Sequence, residues 1–429
     1  MSLLGKKLLI LGGSSATYDM VKMAKAMGVY TIVTDNDPKP GVAKQIADEI
    51  AMISTADIDG LVEFVKARNI DGVFTGPSEF NLRNVIRVCE KAGLPCYADM
   101  QTWNNCANKD DFKRFCREYG VDCIPEYDIS EDSTDAELQA IDYPVIVKPV
   151  DSCSSAGITI CRDWTTVRDA CKYARSNSIR GVIIVEKYIE NDCRICTARY
   201  IVKDGKFTLC FVVDDFCVTQ AGNPFNVSNC SPSIYTKYYL DNVDEKMQKM
   251  LYAMGIRNGV TSIQTLPYKG KLYSMEMCFR IAGGMMFKVM EPLNGVNDMK
   301  MMLRYALGEE IFTEEDTKNI RLLDNPRFCG QVASIVNPGK IARIEGVEAC
   351  KELPCVTDIL YYYHEGDEVP EKVRNTLGQQ LLRHTIIANS REEYRETVRQ
   401  IQELVKAYDV NGEPMHTMAF DLNRMDWQI

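Results

Sequence analysis

The stretch that decides the reading is Thr261–Gly284, TSIQTLPYKGKLYSMEMCFRIAGG. Two runs of β-forming residues flank Lys269-Gly270-Lys271, which suits a short hairpin loop with Gly in the left-handed position. On the second run Tyr273, Met275, Met277 and Phe279 alternate with Ser274, Glu276, Cys278 and Arg280. Side chains two apart share a strand face, so the first set is expected in a core and the second on a polar face. A three-residue loop sets Gln264 opposite Glu276 and Ser262 opposite Cys278. One face then presents an amide oxygen, a carboxylate, a thiol and a guanidinium. Carboxylate and amide oxygens are ligands that Mg2+ prefers, and the guanidinium beside them suits a phosphate or a developing phosphoryl charge. An exposed strand face with a surface Glu/Arg pair carries the same letters, so the rest of the chain has to decide.

At 429 residues the chain is too long for one compact core and is expected to hold two or three domains. A net charge of −10 with only three His argues against nucleic-acid binding, which needs a basic surface. No apolar run approaches the ~18 residues of a membrane span, and the start, MSLLGKKLLILGG, passes directly into a strand rather than a secretory signal. Seventeen Cys scattered without framework spacing read as reduced thiols of a cytoplasmic protein. The Cys193/Cys196 pair would point to opposite faces of a strand and reads as structural.

Residues 6–98 alternate strand and helix signals, with strands at Leu8–Leu11, Tyr30–Thr34 and Gly72–Thr75, which predicts a parallel sheet covered on both sides. Gly12 and Gly13 followed by Asp35 invite a dinucleotide reading, but Ser14 and Thr17 stand where the fingerprint needs Gly. A helix from Lys109 to Tyr119 follows. Next comes YPVIVKPVDSCSSAGITI (143–160), a strand ending at Lys148-Pro149, a loop of small polar residues and a second strand. Such a loop can fold over phosphates and donate amide hydrogens, with Lys148 adding a point charge. A snorkelling Lys beside a Ser-rich hairpin loop looks similar. After a helix at Thr166–Ser176, the strand Val182–Val185 ends in Glu186-Lys187-Tyr188-Ile189-Glu190, a hinge whose backbone could read an adenine edge. Further strand signals cover 199–202 and 207–213, a Pro/Asn/Ser-rich stretch at 222–233 reads as a loop, and helices are expected around 241–255 and at Met299–Leu307. Beyond about 311 the strands KIARIEG, TDILYYY and HTIIANS precede an amphipathic helix, Arg391 to Tyr408.

Taken in order, these stretches resemble the ATP-grasp superfamily from about residue 6 to 390, and within it the carboxylate–amine ligase and carbamoyl-phosphate-synthase-like branch. The resemblance implies an α/β fold of α+β grasp type in three parts. These are an N-terminal parallel βαβ domain (1–104), a two-lobed ATP-grasp domain (105–310, lid about 125–188) and a C-terminal β-rich extension (311–429). It implies ATP and Mg2+ as cofactors. Lys109 and Lys148 match the two lysines that touch ATP, Lys148 on the phosphates. Ser152, Cys153, Ser154, Ser155 and Gly157 match the phosphate-covering loop, and Glu186, Lys187, Tyr188 and Ile189 the adenine hinge. Gln264 and Glu276 match the magnesium ligands, and Arg280 the arginine that steadies an acyl phosphate. Three departures stand out. Cys278 replaces the usual Asn two residues after the bridging Glu. Cys193 occupies the position of the ribose-binding acid, for which Asp192 or Glu190 would substitute. The phosphate loop is also poorer in Gly than usual.

The activity implied is a ligase that phosphorylates a small carboxylate and couples it to an amine, releasing ADP and phosphate. Alternatives are a bicarbonate-activating carboxylase or carbamoyl-phosphate-type enzyme, and a nucleotide-binding module with little or no turnover. No nucleophilic triad is apparent, and His364, His384 and His416 all lie in the tail. Glu79 either faces a substrate amine or serves as a helix N-terminal carboxylate. The partners expected are small-molecule carboxylate and amine substrates, with neither nucleic acid nor membrane. The role of 311–429 stays open between substrate pocket and oligomer contact, a homodimer among the options.

Overall fold

The computed structural model describes residues 3–13, 15–38, 41–150, 157–190, 194–220, 223–418 and 420–425. The amino-terminal strands are β1 (Lys7–Leu11), β2 (Tyr30–Thr34), β3 (Glu49–Ala51) and β4 (Gly72–Thr75), paired in parallel in the order β3-β2-β1-β4. In β1 Leu8 and Ile10 point into one apolar cluster and Leu9 and Leu11 into another, so both faces are covered. That is why the strand reads as an unbroken apolar run.

A second sheet, antiparallel, is built from β5 (Glu126–Tyr127), β6 (Val145–Pro149), β7 (Thr159–Cys161) and β8 (Ile183–Lys187) in the order β5-β8-β6-β7. Val145, Val147 and Val185 pack against the Val167–Ser176 helix through Val167, Ala170, Cys171 and Ala174. Alternation along β6 puts Ile146 and Lys148 on the other face.

The third sheet has nine strands. Along its path lie β9 (Arg194–Lys203), β10 (Lys206–Gln220), β11 (Asn223–Ser231), β12 (Gly259–Tyr268), β13 (Lys271–Cys278), β14 (Phe328–Val336), β16 (Val356–Tyr361) and β18 (Gln380–Ala388), ordered β13-β12-β9-β10-β11-β14-β18-β16. The short β20 (His416–Met418) pairs beside β14. A small sheet of β15 (Gly339–Glu345), β17 (Glu368–Val369) and β19 (Lys406–Asp409) completes the tail. The nine-stranded sheet therefore runs without a break from the hairpin at 261–284 into the tail, across the β11–β14 pairing.

Three sequence expectations change here. Residues 223–231 form β11 rather than a loop. Their polar side chains bond within the sheet: Asn229 Oδ1 accepts from the Gln331 amide at 2.8 Å, and Ser228 Oγ donates to the Gln331 carbonyl at 3.1 Å. The helix expected around 241–255 is two helices, Thr236–Asn242 and Asp244–Ala253. The last helix stops at Leu404, and the chain continues as β19. Between the three parts, Lys288 bridges Asp19 at 3.0 Å and Asp358 at 2.9 Å.

Candidate nucleotide and metal site

The 261–284 hairpin turns on two residues, Lys269 (φ 47°) and Gly270 (φ 74°), because Tyr268 pairs directly with Lys271. Two consecutive positive φ values are the type I′ geometry that matches strand twist. A bulge at Met275 then restores the register, so that Gln264 faces Glu276 and Ser262 faces Cys278 as expected. The bulge also inverts the lower half of the strand. Leu272 and Ser274 are buried while Tyr273 and Met275 are half exposed; Met277 and Phe279 face the core as read from sequence.

Across the sheet, Gln264 pairs with Thr197 of β9, and Arg199 lies opposite Ser262. Gln264, Glu276, Cys278 and Arg199 thus share one face. Among the described residues neither the Gln264 amide nor the Glu276 carboxylate is engaged in a side-chain hydrogen bond or ion pair. Two adjacent, partly exposed hard oxygen donors without internal partners fit a Mg2+ that draws its remaining ligands from phosphates and water. The Cys278 thiol is pushed up by burial, an effect only partly offset by Arg280, so it stays protonated and is a poor ligand for that ion.

Arg280 donates from Nε to Glu79 Oε1 at 2.5 Å, and Trp103 Nε1 donates to the other Glu79 oxygen at 3.3 Å. Glu79 is the first residue of the Glu79–Ala92 helix, capped by Ser78, so it holds the arginine in place from the amino-terminal domain. Of its two sequence readings, the helix N-terminal one describes its position.

On the opposing lobe Lys148 projects from β6 with its side chain 12% exposed. Burial depresses its pKa to about 7, with Lys109 and Lys113 adding repulsion and Glu276 and Glu126 acting the other way. Lys148 therefore feels the charges of both Lys109 and Glu276. Gly157, the last residue of the expected phosphate loop, has φ +76°, and a Cβ there would meet Asn177 Cβ at 2.7 Å and Pro149 Cγ at 2.9 Å. Only glycine closes the chain back onto β6 at that point. Ser152, Cys153, Ser154, Ser155, Asp192 and Cys193 lie outside the described residues.

The hinge differs from expectation in its side chains. Glu186 is buried, and its carboxylate is ion-paired to both Lys113 and Lys148. Lys113 also contacts Glu126 at 3.1 Å and the Ile124 carbonyl at 3.2 Å. The Lys187 ammonium turns away to Asp142 at 3.0 Å and to the Tyr143 carbonyl at 2.7 Å. The Lys187 and Tyr188 amides donate to the Pro125 and Pro144 carbonyls, each at 2.9 Å, and Ile189 is buried beside them. Glu190 pairs with Arg162 at 2.7 Å on the surface. Sequence reasoning missed Lys113. Its signal was a lysine one turn from Lys109 and flanked by Phe112 and Cys116 on the buried side of the helix.

Residues 108–313 match the family described as "Carbamoyl-phosphate synthase L chain, ATP binding domain". The chain as a whole has counterparts among solved structures. The chain has the ATP-grasp fold. Phosphoribosylglycinamide synthetase from Anaerococcus prevotii superposes with a TM-score of 0.74 at 19% identity, over 94% of this chain and 100% of that one. L-amino acid ligase from Bacillus licheniformis superposes with a TM-score of 0.75 at 18% identity, over 95% and 99%. Among curated relatives, the formate-dependent phosphoribosylglycinamide formyltransferase of Sulfurisphaera tokodaii is 26% identical over 212 residues. That match spans 47% of this chain and about half, 52%, of the relative. Lys148 lies in the four-stranded antiparallel sheet, and Gln264 and Glu276 lie in the nine-stranded one. Among the described residues no helix is long and apolar enough to cross a membrane.

Proposed function

We propose that this protein is an ATP- and Mg2+-dependent ligase, which phosphorylates a small carboxylate and passes the acyl group to an amine, with ADP and phosphate as products. The observation that carries this reading is the pairing of Gln264 with Glu276 on one strand face, with both side chains free of internal partners among the described residues, and the field of the Glu276 carboxylate is felt at Lys148. A cation on one side and two oxygen donors on the other make a clamp for a metal-bound triphosphate. Bound Mg2+ would neutralise phosphate charge. Gln264 and Glu276 would hold it, Lys109 and Lys148 would orient the phosphates, and Arg280, braced by Glu79, would face the charge that develops on the acyl phosphate. Such chemistry asks the protein for position and charge rather than for a nucleophile.

Glu186 would act through its grip on Lys148 and Lys113, with adenine held by the backbone and apolar surface of residues 187–189. We take 105–310 as the ATP-grasp domain, with the lid at about 125–188, between the amino-terminal domain (1–104) and the tail (311–429). Buried cysteines such as Cys196, Cys230 and Cys329 are unoxidised thiols, which supports a reducing, cytoplasmic setting. A homodimer is the assembly to test by light scattering.

The experiment is a screen of amino acids and small carboxylates, in pairs, for ATP-dependent phosphate release. Release that needs both partners supports the ligase. Release that needs bicarbonate moves the activity to the carboxylase type, and nucleotide binding without release under any pair leaves a binding module.

A further inference from the structure

Beyond the metal and phosphate groups, the nine-stranded sheet carries a further, buried cationic position that these roles leave unused. Arg383 of β18 is 5% exposed and shares a sheet face with Gln331, whose pairing partner Thr385 lies two residues on. Among the described residues its guanidinium is bonded to neutral groups alone: Gln380 Oε1 at 2.9 Å, the Asn226 carbonyl at 3.3 Å and Gln331 Oε1 at 3.4 Å. Two buried donors here, Arg383 Nε and Gln380 Nε2, find no acceptor among the described residues. The carboxylate that acts on Arg383 through space is Asp215. That group is already held by Thr197 at 2.5 Å and by Asn226 at 2.6 Å, and makes no ion pair with Arg383 among the described residues.

The position borders the end of the 261–284 stretch at Gly284. Gln331 Nε2 donates to the Gly284 carbonyl at 2.9 Å, and a methyl group placed on Gly284 would lie 3.6 Å from Arg383 Nη1. Gly284 follows Arg280 by four residues, so their Cα atoms lie within about 14 Å of each other. A buried guanidinium surrounded by neutral amides, with donors to spare, is an unfavourable arrangement that an anionic ligand would relieve. One positive charge flanked by two neutral amides matches a monoanion; a phosphate dianion would call for a second cation. The planar fork suits a carboxylate.

We propose that Arg383, with Gln331 and Gln380, forms a specificity subsite for a free carboxylate of a substrate, distinct from the carboxyl group that is phosphorylated. The inference rests on the ligase reading above. The carboxylate belongs either to an amino acid acting as the amine or to a dicarboxylic acid acting as the acyl donor.

The test uses the full chain with Mg2+ and a non-hydrolysable ATP analogue, and calorimetry with two sets of probes. One set pairs L-amino acids with their carboxamides; the other pairs small dicarboxylates with their monoamides. At least one free acid is expected to bind at least tenfold more tightly than its neutral counterpart, and the set in which this occurs tells the two sources apart. Arg383→Met is expected to erase that preference while leaving affinity for the nucleotide analogue unchanged. Arg383→Lys keeps the charge without the fork, and should lose at least threefold of the preference even if the Met variant fails to fold. Binding of the nucleotide analogue without any acid-over-amide preference in the wild type overturns the subsite, as does full preference in either variant. Failure of the analogue itself to bind removes the ligase reading too, and is thereby distinguished.

Discussion

Lys148 makes an ion pair with Glu186, and Lys113 occupies the other oxygen of the same carboxylate. Burial first, and then Lys109 and Lys113, bring the Lys148 pKa down to about 7. The folded chain therefore holds this proton less tightly than the unfolded one. Between about pH 7 and pH 10.5 the unfolded state binds more protons, so this group favours folding increasingly as pH rises through that window, and its full cost falls below it. A triphosphate arriving at Lys148 reverses the preference. Nucleotide binding at pH 8 should take up close to one proton, read by calorimetry in buffers of different ionisation enthalpy. Lys148→Met should abolish the uptake, and equal uptake in that variant would place the titrating group elsewhere.

Glu186 holds two buried lysines together. Removing it strands both charges, and breaking one buried pair by deleting a partner costs about 3–5 kcal/mol. Glu186→Ala should lose stability in that range on urea unfolding at pH 7. A loss well below it would mean that the lysines find other acceptors.

Glu276 and Gln264 are exposed enough to accept a ligand and have no internal partners among the described residues, so replacing them should disturb turnover more than folding. Glu276→Ala should lower ATP turnover by at least about 100-fold, as expected for removal of a group that stabilises transition-state charge. Its melting temperature should stay close to that of the wild type. Retained turnover would rule out a metal-bridging role for Glu276.

Cys278 sits on the Gln264/Glu276 face as a protonated thiol. Replacing it with Asn puts a hard oxygen donor in the same place. Cys278→Asn should shift the Mg2+ dependence of turnover to several-fold lower concentration, and an unchanged titration would place the side chain away from the metal.

What could be read from the letters was the pairing of Gln264 with Glu276, since alternation and a Gly-containing loop restrict the hairpin to few registers. The reading reached the right register through the wrong turn: a two-residue loop and the Met275 bulge together give the same offset as a three-residue loop. What failed was the facing of Tyr273 and Met275, because a bulge leaves no mark in hydrophobic alternation. β11 was hidden for a different reason. Asn226, Ser228 and Asn229 look like loop residues until the sheet supplies their partners, and those partners lie about a hundred residues away for Ser228 and Asn229. Lys113 was hidden by its charge, since a helix lysine is by default a solvated one. Arg383 escaped notice because its strand reads as ordinary buried β-structure.

The β11–β14 pairing has a practical consequence. Ser228–Ser231 are hydrogen-bonded to Cys329–Val332, so the tail is not an appendage that can be cut away. A chain truncated before β14 would leave a long, flat strand with its amides and carbonyls open to any passing molecule, the usual route to edge-to-edge aggregation. Trimming the chain to its middle part should therefore give insoluble material rather than a smaller folded unit.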